Sequence, residues 1–520
     1  MRTPAANDRS VLLPLTLALV LPLLLTLALG QDGNWDLRNY HLYNPHAWLH
    51  GRLLTDIAPA QLQTWHNPLL DLPLYLLVSA GASGVAVALW LTLPYMLALF
   101  LLLRLHARLS PEPPGFSMQL LLCLLAIGGV DVRMEIGASM NDGFVAAGVV
   151  GALYLLFRND VPKPWHWCVA GVIAGATAGL KLTAAIYCIG FAAAAVPAGP
   201  IHRAPQRLLA LLIGGIAGFA LTYGYWGWTL FDLYGNPVFP YFNQVFRSVD
   251  APPEAFADLR FVPGSFLDAA LVPFRLAAGS SLYAETTLRD PRLLLGLAAW
   301  PILLALARRN PDRFASISLP IRSMTWFYLI SFAVWVWQYG IYRYLLPLEM
   351  LAGLPLLLCL QAFRREWRIG SAVVLALLVV VATGRPAWPR ESFRSPMFAL
   401  DLPPLPAGSM LILSSQEPLA FAALRIDDAV PIVSAYNNFM HPEKCSGLQR
   451  RVQSRIAGHE GPLWLLRTPM PADDDGQAII ESAYGLRANS ECRPVESSLG
   501  NLVLCPLDRR AIESPCPVSR

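Results

Sequence analysis

The sequence predicts an α-helical polytopic membrane protein of about 11 transmembrane helices, N-terminus inside and C-terminus outside, ending in a small soluble α/β domain. Three observations predict it: the composition is too apolar for a soluble chain, apolar stretches of near-crossing length recur, and lysine and arginine fall on alternate loops. Of 520 residues, 55% are hydrophobic and only 14% charged, with a mean hydropathy of +0.46, whereas soluble domains carry about 25% charged residues. The net charge of +4 is distributed over loops and forms no basic run, which argues against a nucleic-acid partner.

A helix needs about 20 apolar residues to cross the hydrocarbon core, and about 17 at the short end. Eleven stretches qualify or approach this: 11 to 30, 84 to 103, 117 to 131, 142 to 157, 166 to 180, 182 to 199, 207 to 230, 293 to 307, 323 to 339, 344 to 361 and 370 to 384. The third, fourth, fifth, eighth and eleventh are short, as expected where a helix stops inside a protein-lined cavity or where its boundaries extend further than the apolar run. The first stretch follows Arg2 and Arg9 and ends Ala28-Leu29-Gly30, imitating a secretory signal. It is longer than the usual signal core of about 7 to 15 residues, and a retained helix is expected.

Positive charge resists translocation, so lysine and arginine mark cytoplasmic loops. An inside N-terminus puts Arg2 and Arg9, Arg104 and Arg108, Arg158 and Lys163, Arg203 and Arg207, Arg308, Arg309, Arg313 and Arg322, and Arg364, Arg365 and Arg368 on the cytoplasmic side. An odd number of spans sends everything after Arg385 outside, into the periplasm of a bacterial cell with an inner membrane.

The expected organisation is a membrane domain over 1–385 with two outer loops, 31–83 and 231–292, a Pro-rich linker over 386–404 and a periplasmic α/β domain over 405–520. In the loops, Trp35 to Leu54, Leu69 to Ser79 and Phe266 to Ala278 have the mixed pattern of helices lying in the interface. In the tail, strands are expected at Met410 to Ser414, Pro431 to Ala435, Leu463 to Arg467, Cys492 to Ser497 and Asn501 to Pro506, and helices at Pro418 to Arg425 and Gly476 to Tyr484. Four of the eight cysteines lie there (Cys445, Cys492, Cys505, Cys516), open to three disulfide pairings in an oxidising compartment. A hairpin turning at Ser498-Leu499 favours Cys492 with Cys505.

Ionisable residues at membrane depth are costly and mark function. Asp36 follows the first span and is a candidate general base; the alternatives are a helix cap or an ion pair with Arg38. Arg133, Glu135, Asn141 and Asp142 gather between the third and fourth spans, where Asn141 and Asp142 are equally candidates for capping the next helix. Lys181, between spans five and six, and Arg343, in Tyr342-Arg343-Tyr344 between spans nine and ten, suit a lipid-linked phosphate; snorkelling to headgroups is the alternative. His46 and His50 share a helical face and, with His66, raise a metal reading, although hydrogen-bonding histidines are commoner at interfaces. No cofactor is demanded by a motif; a divalent metal is an open alternative. The aromatic turn Tyr234 to Asn243 suits a polyprenyl chain, a sugar ring or the aromatic belt.

An N-terminal helix, an outer loop with an early acidic residue (Asp36, then Tyr40, Ala47 and Gly51), an acidic second outer turn (Asp142), a Gly-Leu-Lys segment (Lys181) and 11 spans before a soluble domain resemble the GT-C superfamily of integral-membrane glycosyltransferases. The resemblance covers most of residues 1 to 385, and the family's frequent Asp-Glu or Asp-Asp pair is here Asp36-Leu37, which leaves Asp32 as an alternative base. It implies transfer of a sugar from a polyprenyl-phosphate carrier to a lipid, glycan or protein acceptor at the outer face. Asp36 and Asp142 are the implied catalytic residues, and Lys181, Arg343, Tyr40, Arg133, Glu135 and Tyr342 the implied substrate-binding ones. The competing class is a transporter or flippase of lipid-linked sugars, which typically shows internal repeats and midplane sites; the sequence has neither feature.

Overall fold

The computed structural model describes residues 9–158, 161–254, 256, 258–469, 474–511 and 516; Arg2 lies outside the described residues. The chain is mostly helical and divides into two compact units, one formed by Met1–Leu29, Leu91–Gly224 and Asp258–Trp388, the other by Gly30–Trp90, Tyr225–Ala257 and Pro389–Arg520.

Each of the apolar stretches lies on helix, and among the described residues five helical segments are long and apolar enough to cross a membrane: Val11–Leu29, Gly84–Leu109, Ile201–Tyr234, Pro311–Gln338 and Tyr342–Leu360. Phe116–Ile127, Asp142–Phe157 and Leu182–Ala195 are shorter apolar helices, while Pro164–Leu180, Arg292–Arg309 and Arg365–Ala382 complete the set. Several helices extend beyond their apolar runs into polar flanks, as Gly84–Leu109 does by taking in Arg104 and Arg108.

Within the helical unit, Pro164–Leu180 and Ala204–Tyr234 approach backbone to backbone. A Cβ on Gly175 would stand 2.0 Å from the Gly215 carbonyl oxygen, and one on Gly218 would stand 2.0 Å from that of Val172. Apolar side chains gain little by leaving lipid for one another, so close packing through small residues is how such helices associate. Gly175 is therefore a packing requirement, not a flexible joint.

The second unit is built on a six-stranded sheet. Its strands are β3 (Met410–Ser414), β4 (Ile432–Tyr436), β5 (Leu463–Arg467), β6 (Leu486–Ala488), β7 (Arg493–Val495) and β8 (Leu502–Arg509), and a separate two-residue pair joins β1 (Gln31–Asp32) to β2 (Arg390–Glu391). The order is β4-β3-β5-β8-β6, with β7 also on β8; β3 is parallel to β4 and β5, and β8 is antiparallel to its neighbours. All five residues of β3 are buried, as a central parallel strand requires. The five expected strands are present, Pro418 to Arg425 is a short 3₁₀ turn (Ala420–Arg425), and helix Gly447–Gly458 and β6 were not expected. Cys492 is bonded to Cys505 across the β7–β8 pair, and Cys445 to Cys516.

The segment before residue 90 folds onto this sheet. Ile57 bridges to Val433 on the edge strand β4, its N–H donating to the Ile432 carbonyl at 2.9 Å and its own carbonyl accepting from Ser434 N–H at 2.9 Å. Asp56 accepts from the Ile432 N–H (2.9 Å), the Tyr43 hydroxyl (2.9 Å) and two Arg52 nitrogens (2.9 and 3.0 Å). Arg52, buried to 1% exposure, also donates to the Val430 carbonyl at 2.7 Å. An edge strand that would offer unpaired groups is thereby covered.

Replacing Gly175 by alanine is expected to destabilise the protein by about 1–3 kcal/mol, because the obstacle is backbone. At Gly224, on the partner helix Ala204–Tyr234, the nearest atom to a new Cβ is Ala220 Cβ at 3.9 Å, so Gly224→Ala should be neutral or stabilising. Thermal unfolding of the two variants in detergent, read by tryptophan fluorescence, checks the opposite signs.

Candidate functional site

The helical unit gathers its charges at the ends of three helices. Lys181 follows Pro164–Leu180 in an extended backbone conformation, and Asp142 opens Asp142–Phe157. Lys181 Nζ donates to Asp142 Oδ2 at 2.5 Å and to the Met140 carbonyl at 2.7 Å. The aspartate is 2% exposed and the lysine side chain 16%, so the ammonium keeps an open side while its position is fixed by two acceptors.

Arg343 converges on the same point. Its guanidinium carbon lies 5.4 Å from the centre of the Tyr344 ring, and Lys181 Nζ lies 5.5 Å from the same centre. Arg343 Nη1 is 3.8 Å from Met140 Sδ, and Nη2 is 3.7 Å from the part-exposed Glu285. Two cations thus flank one aromatic ring and one residue, Met140. A ring face attracts cations, and two fixed, partly exposed cations could hold an anion with several oxygens, such as a phosphate.

The acidic turn beside them is held from below. Helix Val130–Glu135 begins after Gly129, and Glu349 accepts from the N–H groups of Asp131 and Val132, both at 3.1 Å. Asp290 accepts from the Val130 N–H at 2.9 Å and is paired with the buried Arg292 at 2.9 Å. A carboxylate at a helix N-terminus satisfies otherwise orphaned donors. Gly129 is needed for this approach: a Cβ there would stand 1.9 Å from Glu349 Oε1.

Two expected substrate contacts prove to serve this support. Tyr342 is fully buried and donates its hydroxyl to Glu349 at 2.8 Å, so it positions the cap and has no surface to offer a substrate. Arg133 donates to the carbonyls of Gly129 and Gly384. Asn141 occupies the cap position before Asp142–Phe157 with φ of 69°, but its side chain makes no capping hydrogen bond; asparagine is there for its tolerance of left-handed backbone. Glu135 is buried and receives the Tyr95 hydroxyl at 3.3 Å. Burial, and then the charges of Asp142 and Asp131, hold its carboxyl well above the ordinary glutamate range.

The sequence reading passed over Asp131, Glu349 and Glu285. Asp131 is fully buried, and neither carboxylate oxygen has a hydrogen-bond partner among the described residues. Asp131 and Glu349 were each visible as an acidic residue within an apolar stretch, 117 to 131 and 344 to 361, the signal by which intramembrane carboxylates are found.

Asp36, Asp32 and Tyr40 belong to the other compact unit. Asp36 is 8% exposed and precedes the π-helical turn Leu37–His41. Asp32 is committed to a local turn, accepting from the Asn34 backbone at 2.9 Å and the Asn34 side chain at 3.0 Å. This makes Asp32 the weaker candidate for a base. Tyr40 packs against His41 and His66, with ring centres 4.0 and 5.0 Å apart. His66 is hydrogen-bonded to the Tyr241 hydroxyl at 2.8 Å, whereas His46 and His50 stand together beside Asp428.

Comparison with protein-family models, with curated proteins and with solved structures finds no match.

Because Glu135 keeps a proton in the folded chain that the unfolded chain releases, its contribution to stability is complete below the ordinary glutamate value of about 4.3 and is lost as pH rises toward the folded value. Glu135→Gln should flatten the fall in stability above about pH 4.3 by up to about 1.4 kcal/mol per pH unit. Melting curves of both proteins from pH 4 to 8 check this; parallel curves would mean that Glu135 is ionised in the fold.

Proposed function

We propose that this chain is an integral-membrane glycosyltransferase that moves a sugar from a polyprenyl-phosphate carrier to a lipid, glycan or protein acceptor at the outer face of a bacterial inner membrane. The observation that carries the reading is the convergence of Lys181 and Arg343 on Met140 and Tyr344 beside Asp142. In the reaction the acceptor hydroxyl attacks the anomeric carbon, the bond from that carbon to the phosphate oxygen breaks, and the acceptor proton passes to a carboxylate. The GT-C resemblance gives the role of base to Asp36; within the helical unit Asp142 holds Lys181 where charge would develop on the leaving phosphate. Arg343 supplies two further donors to the same oxygens. The demand on the protein is positional and electrostatic, and both are met by charges fixed before substrate arrives.

The reading includes 11 crossings with the N-terminus inside, five of them on the long apolar helices and the others on the shorter ones. The two disulfides of the tail support an external position, because the four cysteines of the helical unit (Cys123, Cys168, Cys188 and Cys359) are free.

The test is release of sugar from polyprenyl-phosphate sugars by the purified protein. Removing a fixed donor to a developing oxyanion costs about 10²–10³ in turnover, and Lys181→Ala and Arg343→Ala should each fall in that range while Asp36→Asn abolishes transfer. Turnover that survives Asp36→Asn and Lys181→Ala contradicts the reading. Movement of labelled lipid across vesicles with its sugar bond intact would make the protein a flippase instead.

A further inference from the structure

Two histidines and a carboxylate of the sheet-bearing unit form a second constellation that glycosyl transfer does not use. His46 and His50 lie one turn apart at the end of helix Tyr43–Leu49, with ring centres 4.3 Å apart. Asp428 approaches from the loop between the 3₁₀ turn Ala420–Arg425 and β4. Its Oδ2 lies 2.7 Å from His50 Nδ1, and its Oδ1 lies 3.9 Å from His46 Nε2. One ligand atom from each of the three can be chosen so that all lie within 4.8 Å of one another.

The remaining ring nitrogens share a single partner. His46 Nδ1 is 3.2 Å and His50 Nε2 is 3.1 Å from the Tyr75 hydroxyl. If both rings donate to that oxygen, the lone pairs of His46 Nε2 and His50 Nδ1 face Asp428. Fixing the outer nitrogen of each imidazole is how proteins orient metal-binding histidines. His46 Nε2 is buried and has no hydrogen-bond partner among the described residues.

We propose that His46, His50 and Asp428 bind a first-row divalent transition ion, with zinc the natural occupant, and that the ion clasps the outer helix Tyr43–Leu49 to the tail. Two imidazoles and one carboxylate are a borderline donor set that selects such ions over magnesium or calcium, and three protein ligands leave a position for water. Neighbouring ligand atoms around tetrahedral zinc stand about 3.3 Å apart. Reaching that spacing takes a shift of His50 and Asp428, whose side chains are 37% and 51% exposed. Arg52 Nη1, 3.3 Å from Asp428 Oδ1, opposes the ion, but the Arg52 charge is largely committed to Asp56. The alternative occupant is a proton on His50 Nδ1, donated to Asp428. This proposal stands independently of the glycosyl-transfer reading.

The experiment titrates zinc ion alone into the full chain in detergent after chelator treatment, with bound metal measured by equilibrium dialysis. One zinc per chain is expected. His46→Ala and Asp428→Asn should each weaken binding at least about tenfold, and Tyr75→Phe, an outer-shell change, by about 10-fold. His66→Ala, whose ring is hydrogen-bonded to Tyr241 and packs against Tyr40, should leave affinity unchanged. Zinc should raise the melting temperature of the parent protein and not that of Asp428→Asn, whose exposed position allows it to fold. Absence of saturable uptake, uptake equal in parent and His46→Ala, or loss equal in His66→Ala and His46→Ala would each overturn the site.

Discussion

The pairing of Lys181 with Asp142 fixes the charge arrangement of the helical unit's candidate site. An ammonium at the end of one apolar helix and a carboxylate at the start of another are each costly alone. Together, at 2.5 Å, they join two helix ends and leave the lysine partly open. Removing either partner strands the other, and stranding one member of a buried pair costs about 3–5 kcal/mol. Met140 takes part through its backbone carbonyl, so the loop that carries Asp142 also sets the direction of the lysine. Arg343 then has a defined neighbour, and the two cations present one face around Tyr344.

A similar economy governs the sheet-bearing unit. Asp56 binds Arg52, Tyr43 and the backbone of β4 at once, so one carboxylate ties a segment from the first 90 residues to an edge strand more than 370 residues later. The tail is therefore not an independent appendage in its packing: residues 30–90, 225–257 and 389–520 form one compact body. Asp428, His46 and His50 lie along the same seam, which places the proposed metal where it would reinforce a junction already made by hydrogen bonds.

What was legible in the sequence was whatever is encoded locally. Apolar runs became helices because hydropathy is a property of the run, and β3 and β5 fall at Met410–Ser414 and Leu463–Arg467, where short runs of apolar residues cluster. The Cys492–Cys505 bond followed from a hairpin of short separation. Helix Gly447–Gly458 was missed because its Gln-Arg-Arg and Ser-Arg steps mask a narrow stripe of Leu448, Val452 and Ile456, all buried. Partners far apart in sequence were not legible. Nothing near Lys181 announces Asp142, 39 residues away, and nothing near His46 announces Asp428. Tyr342 is a related case: beside Arg343 it has the look of a ligand contact, and only the position of Glu349, seven residues later, shows that its hydroxyl is spoken for.

The central claim is that Lys181 and Arg343 form a receptor for the phosphate of a polyprenyl carrier. Equilibrium binding of a polyprenyl phosphate and of the matching polyprenol to the purified protein tests it most directly, since the two ligands share the apolar chain and differ only in the anion. The account predicts that the phosphate binds at least about tenfold more tightly, roughly 1.4 kcal/mol, and that the preference disappears in the Lys181→Ala, Arg343→Ala double variant. Equal affinities for the two lipids, or a preference that the double variant retains, would contradict it.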